Sequence, residues 1–132
     1  MEIKEILSKY KNIALIGASK DLTKTSSVVM KHLQQYGFKV FPVNPSVIGE
    51  KILNENVFEK VSDIQTKVDI INVFRPATEA VRIAKETVEV GAKVLWLQLD
   101  IKSVEARQIV EENDIIYIED KCTKIEYEKY FK

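Results

Sequence analysis

The sequence of 132 residues contains little of several residue types on which specialised protein classes depend. A single cysteine, Cys122, excludes an internal disulfide framework. Four glycines and three prolines exclude a collagen-like or low-complexity chain. Twenty basic residues balance twenty acidic ones, so no overall basic field would attract nucleic acid, and we expect no nucleic-acid partner. The single histidine, His32, leaves no histidine pair for a metal site, and we read it as a half-exposed residue of a helix.

Long apolar runs are also missing. No run approaches the ~20 residues that a membrane-spanning helix needs, and the first six residues lack the charged-then-apolar order of a secretion signal. The hydrophobic fraction of 45% nevertheless suffices for one core that hides roughly two thirds of the unfolded surface. We therefore expect a single soluble, cytoplasmic domain over residues 1–132, without a membrane partner.

Five short apolar runs rich in β-branched and aromatic residues are present. Their length favours strands over helices, and their nearly continuous apolar character is typical of parallel strands covered on both faces. Between them, apolar residues recur at helical spacing, so the pattern predicts an open, doubly wound parallel sheet of about five strands with helices on both faces. The predicted strands are 13–16, 40–43, 68–74, 94–97 and 115–118.

Helix boundaries follow from local signals. A helix is expected after Pro76 and up to Gly91, another behind a Ser103 cap, and a third over 25–36, stopped by Gly37. Short helices are expected before Lys11 and after Thr123. Residues 46–60 have no clear period, which indicates an irregular connection with at most one short helix near 61–64.

The turn after the first predicted strand is a candidate anion site. Residues 17–26 offer backbone N–H groups, hydroxyls, Lys20 and Lys24 at the start of a helix. In an open parallel sheet, ligands bind beyond the carboxyl ends of the strands. The alternative is an ordinary strand-to-helix loop in which Thr25 or Ser26 caps the helix, and the residues leave both interpretations open.

The known nucleotide motifs do not fit this turn. A dinucleotide fingerprint would need glycine at positions 19 and 22, where the chain has Ser19 and Leu22. The acidic residue expected after the second strand is replaced by Asn44 and Pro45. No Gly-Lys-Ser/Thr sequence occurs either, so the motifs argue against NAD and ATP.

Two other strand ends carry polar candidates. Arg75 precedes a helix, at the positive end of its dipole, which favours an anionic ligand, and the alternative is a surface salt bridge. Gln98 follows a buried strand and could hydrogen-bond either a ligand amide or a neighbouring loop.

Several segments in fixed order resemble the small CoA-binding-domain proteins, which are similar to the N-terminal domain of the succinyl-CoA synthetase α subunit. The resemblance spans roughly residues 11–126 and implies a Rossmann-like sheet that binds coenzyme A or an acyl-CoA. The segments that carry it are 16–19, 25–26, 36–45, 68–76, 91–98, and Cys122 with 124–126.

The resemblance also implies roles for individual residues. The turn from Gly17 through Ala18 to Ser19, together with Ser26, would approach the diphosphate, and Thr25 is a further candidate for the cofactor-binding set. Asn44, Pro45 and the corner made by Val73, Phe74, Arg75 and Pro76 would border the adenosine. Lys20, Lys24 and Arg75 are candidates for the phosphates, and Gln98 for the pantetheine end.

The chain departs from the family pattern at three places. Thr23-Lys24-Thr25-Ser26 stands where Arg-Pro-Ser is usual, Asp100 where glycine is common, and Thr123 where proline follows the cysteine. An Asp can adopt the left-handed conformation but adds negative charge. We expect these changes to affect ligand affinity more than fold.

No catalytic constellation is visible in the sequence. The first hypothesis is therefore a non-catalytic binding module for CoA, a sensor or carrier that is a monomer or homodimer. The second is the CoA-binding part of a ligase or transferase with a separately encoded protein partner. An NAD(P)-binding or redox-sensing domain is the third, since unrelated functions share this architecture.

Cys122 could form a mixed disulfide with CoA, although simple packing is the preferred interpretation.

Overall fold

Five parallel strands form one sheet in the computed structural model, which describes all 132 residues. The strands of the chain are β1 (Asn12–Ile16), β2 (Lys39–Val43), β3 (Lys51–Ile52), β4 (Glu55–Asn56), β5 (Ile70–Val73), β6 (Val94–Leu97) and β7 (Ile116–Ile118). The sheet order is β2-β1-β5-β6-β7. The predicted five-stranded, Rossmann-like parallel sheet is thereby confirmed. Because β1 lies between β2 and β5, the strand order reverses at β1, and a crevice opens at its carboxyl end.

Helices lie where the sequence predicted them. They are α1 (Ile3–Lys9), α2 (Thr25–Gln35), α3 (Ala80–Val90), α4 (Val104–Glu111) and α5 (Thr123–Phe131). The hydroxyl of Ser103 accepts a hydrogen bond of 3.1 Å from the Ala106 N–H and so caps α4 as expected. Gly91 adopts the left-handed conformation (φ 69°) that ends α3. No helix is long and apolar enough to cross a bilayer.

Alternate residues of the strands point to opposite faces of the sheet and pack in two separate hydrophobic cores. Ile13 and Leu15 pack on one face of the sheet with Leu33 of α2. Ala14 and Ile16 point to the opposite face, where α3 and α4 cover them. Burial on both faces explains why these strands are apolar at nearly every position, with the buried Asn72 of β5 as an exception.

The connection after β2 differs from the prediction. Instead of an irregular segment, it contains a 3₁₀ helix over Pro45–Val47 and the antiparallel hairpin of β3 and β4. The 3₁₀ helix over Val61–Asp63 that follows agrees with the short helix expected near 61–64. The hairpin turns at Leu53 (φ 48°) and Asn54 (φ 70°). Strands of two residues are too short to reveal a period of two, and leucine is not a residue that signals a positive φ, so the pattern concealed the hairpin.

The edge strand β2 is covered on its outer side. The Phe58 N–H donates a hydrogen bond of 2.9 Å to the carbonyl of Pro42, and the Asn44 N–H donates one of 2.9 Å to the carbonyl of Phe58. Pro42 itself pairs in register with Leu15 of β1. The residues after the hairpin therefore run along the free edge of the sheet and lead to its carboxyl end.

Candidate functional site

A cavity of about 650 Å³ opens at the carboxyl ends of β1, β2 and β5, where the strand order reverses. The β1–α2 turn, the end of β2 and the residues after β5 form its walls. The sequence-predicted residues that line it are Gly17, Ala18, Ser19, Lys24, Thr25, Ser26, Asn44, Pro45, Phe74 and Arg75.

Gly17 permits the close approach of two walls. Its φ of +93° is a conformation that L side chains rarely adopt. A Cβ atom added here would lie 2.6 Å from the carbonyl oxygen of Phe74 and 3.0 Å from the Arg75 side chain. The backbone after β5 therefore packs directly against the backbone after β1, and only glycine fits between them.

The β1–α2 turn is held by its own side chains. The hydroxyl of Ser27 lies 2.9 Å from the carbonyls of both Ser19 and Asp21. The Asp21 carboxylate accepts hydrogen bonds from the Thr23 hydroxyl and N–H at 2.6 and 2.9 Å, and these bonds lower its pKa. These contacts fix the turn in the shape that presents its backbone to the cavity.

The structure contradicts the alternative in which the side chain of Thr25 or Ser26 caps α2. Lys24 occupies the N-cap position, and its side chain makes no capping hydrogen bond. The first amides with partners are those of Ser27 and Val28, which both donate to the Lys24 carbonyl. The N–H groups of Thr25 and Ser26 have no partner within the protein, although both residues line the cavity. Two unused donors thus lie at the positive end of the helix dipole, which is an arrangement suited to anions.

Asn44 joins the end of β2 to the turn after β1. Its Nδ2 donates a hydrogen bond of 2.7 Å to the carbonyl of Ala18, while its Oδ1 accepts one of 2.8 Å from the Ser46 N–H. Both functional groups of the amide are therefore engaged in the wall of the cavity.

A row of four charged side chains forms the wall after β5. Arg75 donates to Oε2 of Glu79 from Nε at 3.0 Å and from Nη2 at 2.6 Å. Arg82 donates to the other oxygen of Glu79 at 2.8 Å and also pairs with Glu86. The bond to Glu79 raises the pKa of Arg75, and the bond from Arg75 is the main cause of the lowered pKa of Glu79. All four side chains line the cavity.

Four residues predicted for the site lie outside the cavity lining. The Lys20 ammonium makes a 2.7 Å ion pair with Glu50, the residue immediately before β3. Gln98 is buried, and its Oε1 accepts hydrogen bonds from Asn72 Nδ2 at 3.0 Å and from the Thr123 N–H at 3.2 Å. Of the two partners expected for Gln98, a ligand amide or a neighbouring loop, these contacts within the protein correspond to the second. The other two residues outside the lining are Val73 and Pro76.

Cys122 and His32 lie in the core rather than at the cavity. The Cys122 thiol is buried among the residues that α1 and α2 pack on the sheet, in keeping with a packing role. His32 is also buried, with 7% of its surface exposed, so the expectation of half exposure is wrong. Neither ring nitrogen of His32 has a hydrogen-bond partner.

Sequence reasoning missed part of the lining. Glu59 and Lys60 belong to the segment that seemed irregular, so nothing in the pattern assigned them to the site. Glu79, Arg82 and Glu86 follow Arg75 at successive steps of four, three and four residues, and this helical spacing was a usable signal for a row of paired charges. The missed residues are Ile16, Val43, Ser46, Glu59, Lys60, Glu79, Arg82 and Glu86.

The left-handed position after β6 agrees with expectation. Asp100 has a φ of +68°, and its N–H donates a hydrogen bond of 2.7 Å to the Asp120 carboxylate. Asp thus adopts the conformation for which glycine is common at this position.

The sheet, its crevice and the helix N-terminus define a Rossmann-like domain with an anion-compatible cavity at the switch point. A scan of protein families matches the CoA binding domain over residues 11–128, and the chain belongs to that family.

Known proteins of two kinds are similar to this chain. A Bacillus subtilis protein named YneT is 36% identical over 124 residues, which cover 94% of this chain and 90% of that protein. The ADP-forming acetate–CoA ligase of Methanocaldococcus jannaschii is 29% identical over 87 residues, which cover 66% of this chain but 12% of the ligase. Among solved structures, a hypothetical protein from Pyrococcus horikoshii superposes with a TM-score of 0.94 at 32% identity, covering 98% of this chain and 90% of that one.

Proposed function

We propose that the chain binds coenzyme A or an acyl-CoA in the cavity at the carboxyl ends of β1, β2 and β5, without catalysing a reaction itself. The observation that carries the proposal is that the N–H groups of Thr25 and Ser26, two residues that line this cavity at the start of α2, have no partner within the protein. A diphosphate needs such donors, and the helix dipole favours its charge. Membership of the CoA binding domain family supports the choice of ligand.

The shape and charge of the cavity walls suit both the diphosphate and the adenosine of CoA. Gly17, Ala18 and Ser19 bring backbone close to the diphosphate, while Asn44, Pro45 and Phe74 border the adenosine. Lys24 and Arg75 contact phosphates in this proposal, since the 3′-phosphate of CoA adds charge to that of its diphosphate. Lys60, which also lines the cavity, supplies a further cation. Gln98 makes its contacts within the protein and is left out of the proposed binding set.

Thermal unfolding in the presence of CoA, acetyl-CoA, NADH and NADP tests the choice of ligand. A ligand that binds only the folded state raises the melting temperature, and the stabilisation grows with the logarithm of its concentration over Kd. We expect CoA or acetyl-CoA to raise the melting temperature and the two nicotinamide nucleotides to leave it unchanged. A shift with NADH and none with either CoA species would reject the proposal.

A pair of matched lysine variants tests the location. Lys24 lines the cavity at the start of α2, whereas Lys31 is an exposed lysine two turns further along the same helix. Lys24→Ala should weaken CoA binding by about three- to tenfold, since a charge-assisted contact is lost. Lys31→Ala makes the same change in net charge and should leave the affinity within about twofold. Equal effects of the two substitutions would contradict binding at this cavity.

A second candidate function rests on the similarity to acetate–CoA ligase. The chain spans 12% of that ligase, so it would supply only the CoA-binding part of a composite enzyme with a separately encoded partner. Copurification of the full-length protein from its native source distinguishes the candidates. A stoichiometric partner that binds ATP would support the ligase, and a monomer or homodimer that carries CoA would support the binding module.

A further inference from the structure

The wall of the cavity contains an arginine, Arg75, that already forms an ion pair with a carboxylate of the protein. Arg75 directs both Nε and Nη2 to a single oxygen of Glu79, at 3.0 and 2.6 Å. No other carboxylate lies within ion-pair distance of Arg75. The arginine proposed to receive a phosphate is therefore paired with an acidic side chain of the protein in the absence of ligand.

Glu79 is held in this position by a second contact. Its other oxygen accepts a hydrogen bond of 2.8 Å from Arg82, which in turn pairs with Glu86. The hydrogen bond from Arg75 is the main cause of the lowered pKa of Glu79, so the carboxylate is charged at neutral pH. Because Glu86 also holds Arg82, loss of the Glu79 carboxylate would release Arg75 but leave Arg82 paired.

The charge balance of the lining makes this pairing consequential. Four cationic side chains and three acidic ones surround the cavity: Lys24, Lys60, Arg75 and Arg82 against Glu59, Glu79 and Glu86. A phosphate that approaches Arg75 meets the Glu79 carboxylate within a few ångströms, where like charges repel appreciably. The ligand must therefore either displace Glu79 from Arg75 or bind beside a negative charge.

We infer that Glu79 competes with the phosphate groups of the ligand for Arg75 and thereby sets the affinity and the phosphate dependence of the site. This inference rests on the proposed function. Glu79 is a specificity-determining residue here, since a ligand gains from Arg75 only by interacting with it more strongly than a carboxylate does. A dianionic phosphate group meets that condition, and a neutral or weakly charged ligand does not.

The experiment compares Glu79→Gln with Glu59→Gln by calorimetric titration of CoA. Both substitutions remove one negative charge from the same lining, but Glu59 makes no ion pair, so only the first releases Arg75. We expect Glu79→Gln to lower the Kd for CoA by about two- to fivefold, the range that an exposed ion pair represents, and Glu59→Gln to change it by less than about twofold. Glu79→Ala should act in the same direction as Glu79→Gln.

A double-mutant cycle identifies Arg75 as the mediator. In an Arg75→Ala background, Glu79→Gln should no longer tighten CoA binding, because the released guanidinium is absent. A higher Kd for CoA in Glu79→Gln than in the unmodified protein would overturn the inference, since Glu79 would then orient Arg75 for CoA. A gain equal to that of Glu59→Gln, or one that persists without Arg75, would also overturn it.

The failure of the inference and that of the proposed function give different results. If the unmodified protein binds CoA but the Glu79 variants behave like the Glu59 variant, only the competition is refuted. If CoA gives no heat with the unmodified protein and every variant, and also raises none of their melting temperatures, the proposed function fails, and the inference fails with it.

Discussion

The Nδ2 atom of Asn44 lies 2.7 Å from the carbonyl oxygen of Ala18, and this hydrogen bond joins the ends of β2 and β1 at the cavity. The other half of the same amide caps the following 3₁₀ helix, where Oδ1 accepts from the Ser46 N–H at 2.8 Å. One side chain thus positions both the turn that faces the proposed diphosphate and the segment that leads into the hairpin.

Asn44→Asp separates these two roles. A carboxylate still accepts from the Ser46 N–H but has no proton to donate to Ala18, so the bond between the strand ends is lost. We expect the free energy of unfolding to fall by about 1 kcal/mol, the usual net value of one hydrogen bond, when measured by urea denaturation at pH 7. Asn56→Asp makes the same chemical change at an exposed position on β4 and should leave the stability within about 0.5 kcal/mol. A similar loss of unfolding free energy in both variants would show that the added negative charge, and not the lost hydrogen bond to Ala18, causes the destabilisation.

Two glycines with almost the same backbone conformation allow a test of the contact between β1 and β5. Gly17 and Gly37 have φ values of +93° and +91°, but only Gly17 faces a neighbour, the Phe74 carbonyl. Gly37→Ala should cost about 1–2 kcal/mol from backbone strain alone. Gly17→Ala adds a clash with backbone and should cost roughly 2–4 kcal/mol in the same urea titration. Equal losses would show that the close approach contributes nothing beyond conformation.

The buried amides behind the cavity can be tested with two threonines. The Thr123 hydroxyl lies 3.2 Å from Asn72 Oδ1, which has no other partner, whereas the Thr87 hydroxyl bonds the Ile83 carbonyl of its own helix. Thr123→Val leaves a buried acceptor without a donor and should lower the unfolding free energy by about 1–3 kcal/mol. Thr87→Val leaves the Ile83 carbonyl with its helical hydrogen bond and should cost less than about 1 kcal/mol. A larger loss for Thr87→Val would refute the ranking.

The stability of the protein should depend on pH through His32. Burial is the main cause of the lowered pKa of this histidine, Glu128 opposes the shift, and Lys124 and Lys132 add to it. Because the folded pKa lies below the unfolded value of about 6.5, the neutral ring contributes stability above that pH and loses it as the pH falls toward the folded pKa.

His32→Phe removes this dependence while retaining an aromatic ring beside Tyr36 and Tyr127, whose centroids lie 4.8 and 5.7 Å from that of His32. The difference between the unfolding free energies at pH 7.5 and pH 5.5 should be smaller in the variant than in the unmodified protein. Because His32 is the only histidine, no other side chain of that type contributes. An unchanged difference would show that His32 titrates alike in the folded and unfolded chains.

The architecture could be predicted because its signals are local. The continuous apolar run of Val94–Leu97 indicates a strand buried on both faces, and Gly91 and Ser103 mark helix ends through backbone conformation and a single hydrogen bond. The hairpin of β3 and β4 could not be predicted, since its strands have two residues each and its stability comes from contacts across the fold. One such contact is the 3.1 Å hydrogen bond that Nε2 of Gln34 in α2 donates to the carbonyl of Leu53 in the turn of the hairpin.

The candidate site was only partly predictable for a related reason. The backbone turn at Gly17–Ser19 follows from its position after β1, but the partners of long side chains do not follow from position. Arg75 had either an anion or a carboxylate as its expected partner, and the geometry supplies Glu79 four residues later. Gln98 bonds Asn72 and Thr123, which lie 26 and 25 residues away in sequence, and no local pattern contains that information.

Pro42 in β2 affects whether two molecules of the protein can associate through this edge of the sheet. Its carbonyl faces outward to Phe58, so its missing N–H also belongs to the outer side and costs no hydrogen bond with β1. An edge strand that lacks a donor and is already covered offers poor pairing to a strand of another molecule. Self-association through continuation of the sheet beyond β2 is therefore disfavoured, and so is aggregation from this edge in concentrated solution.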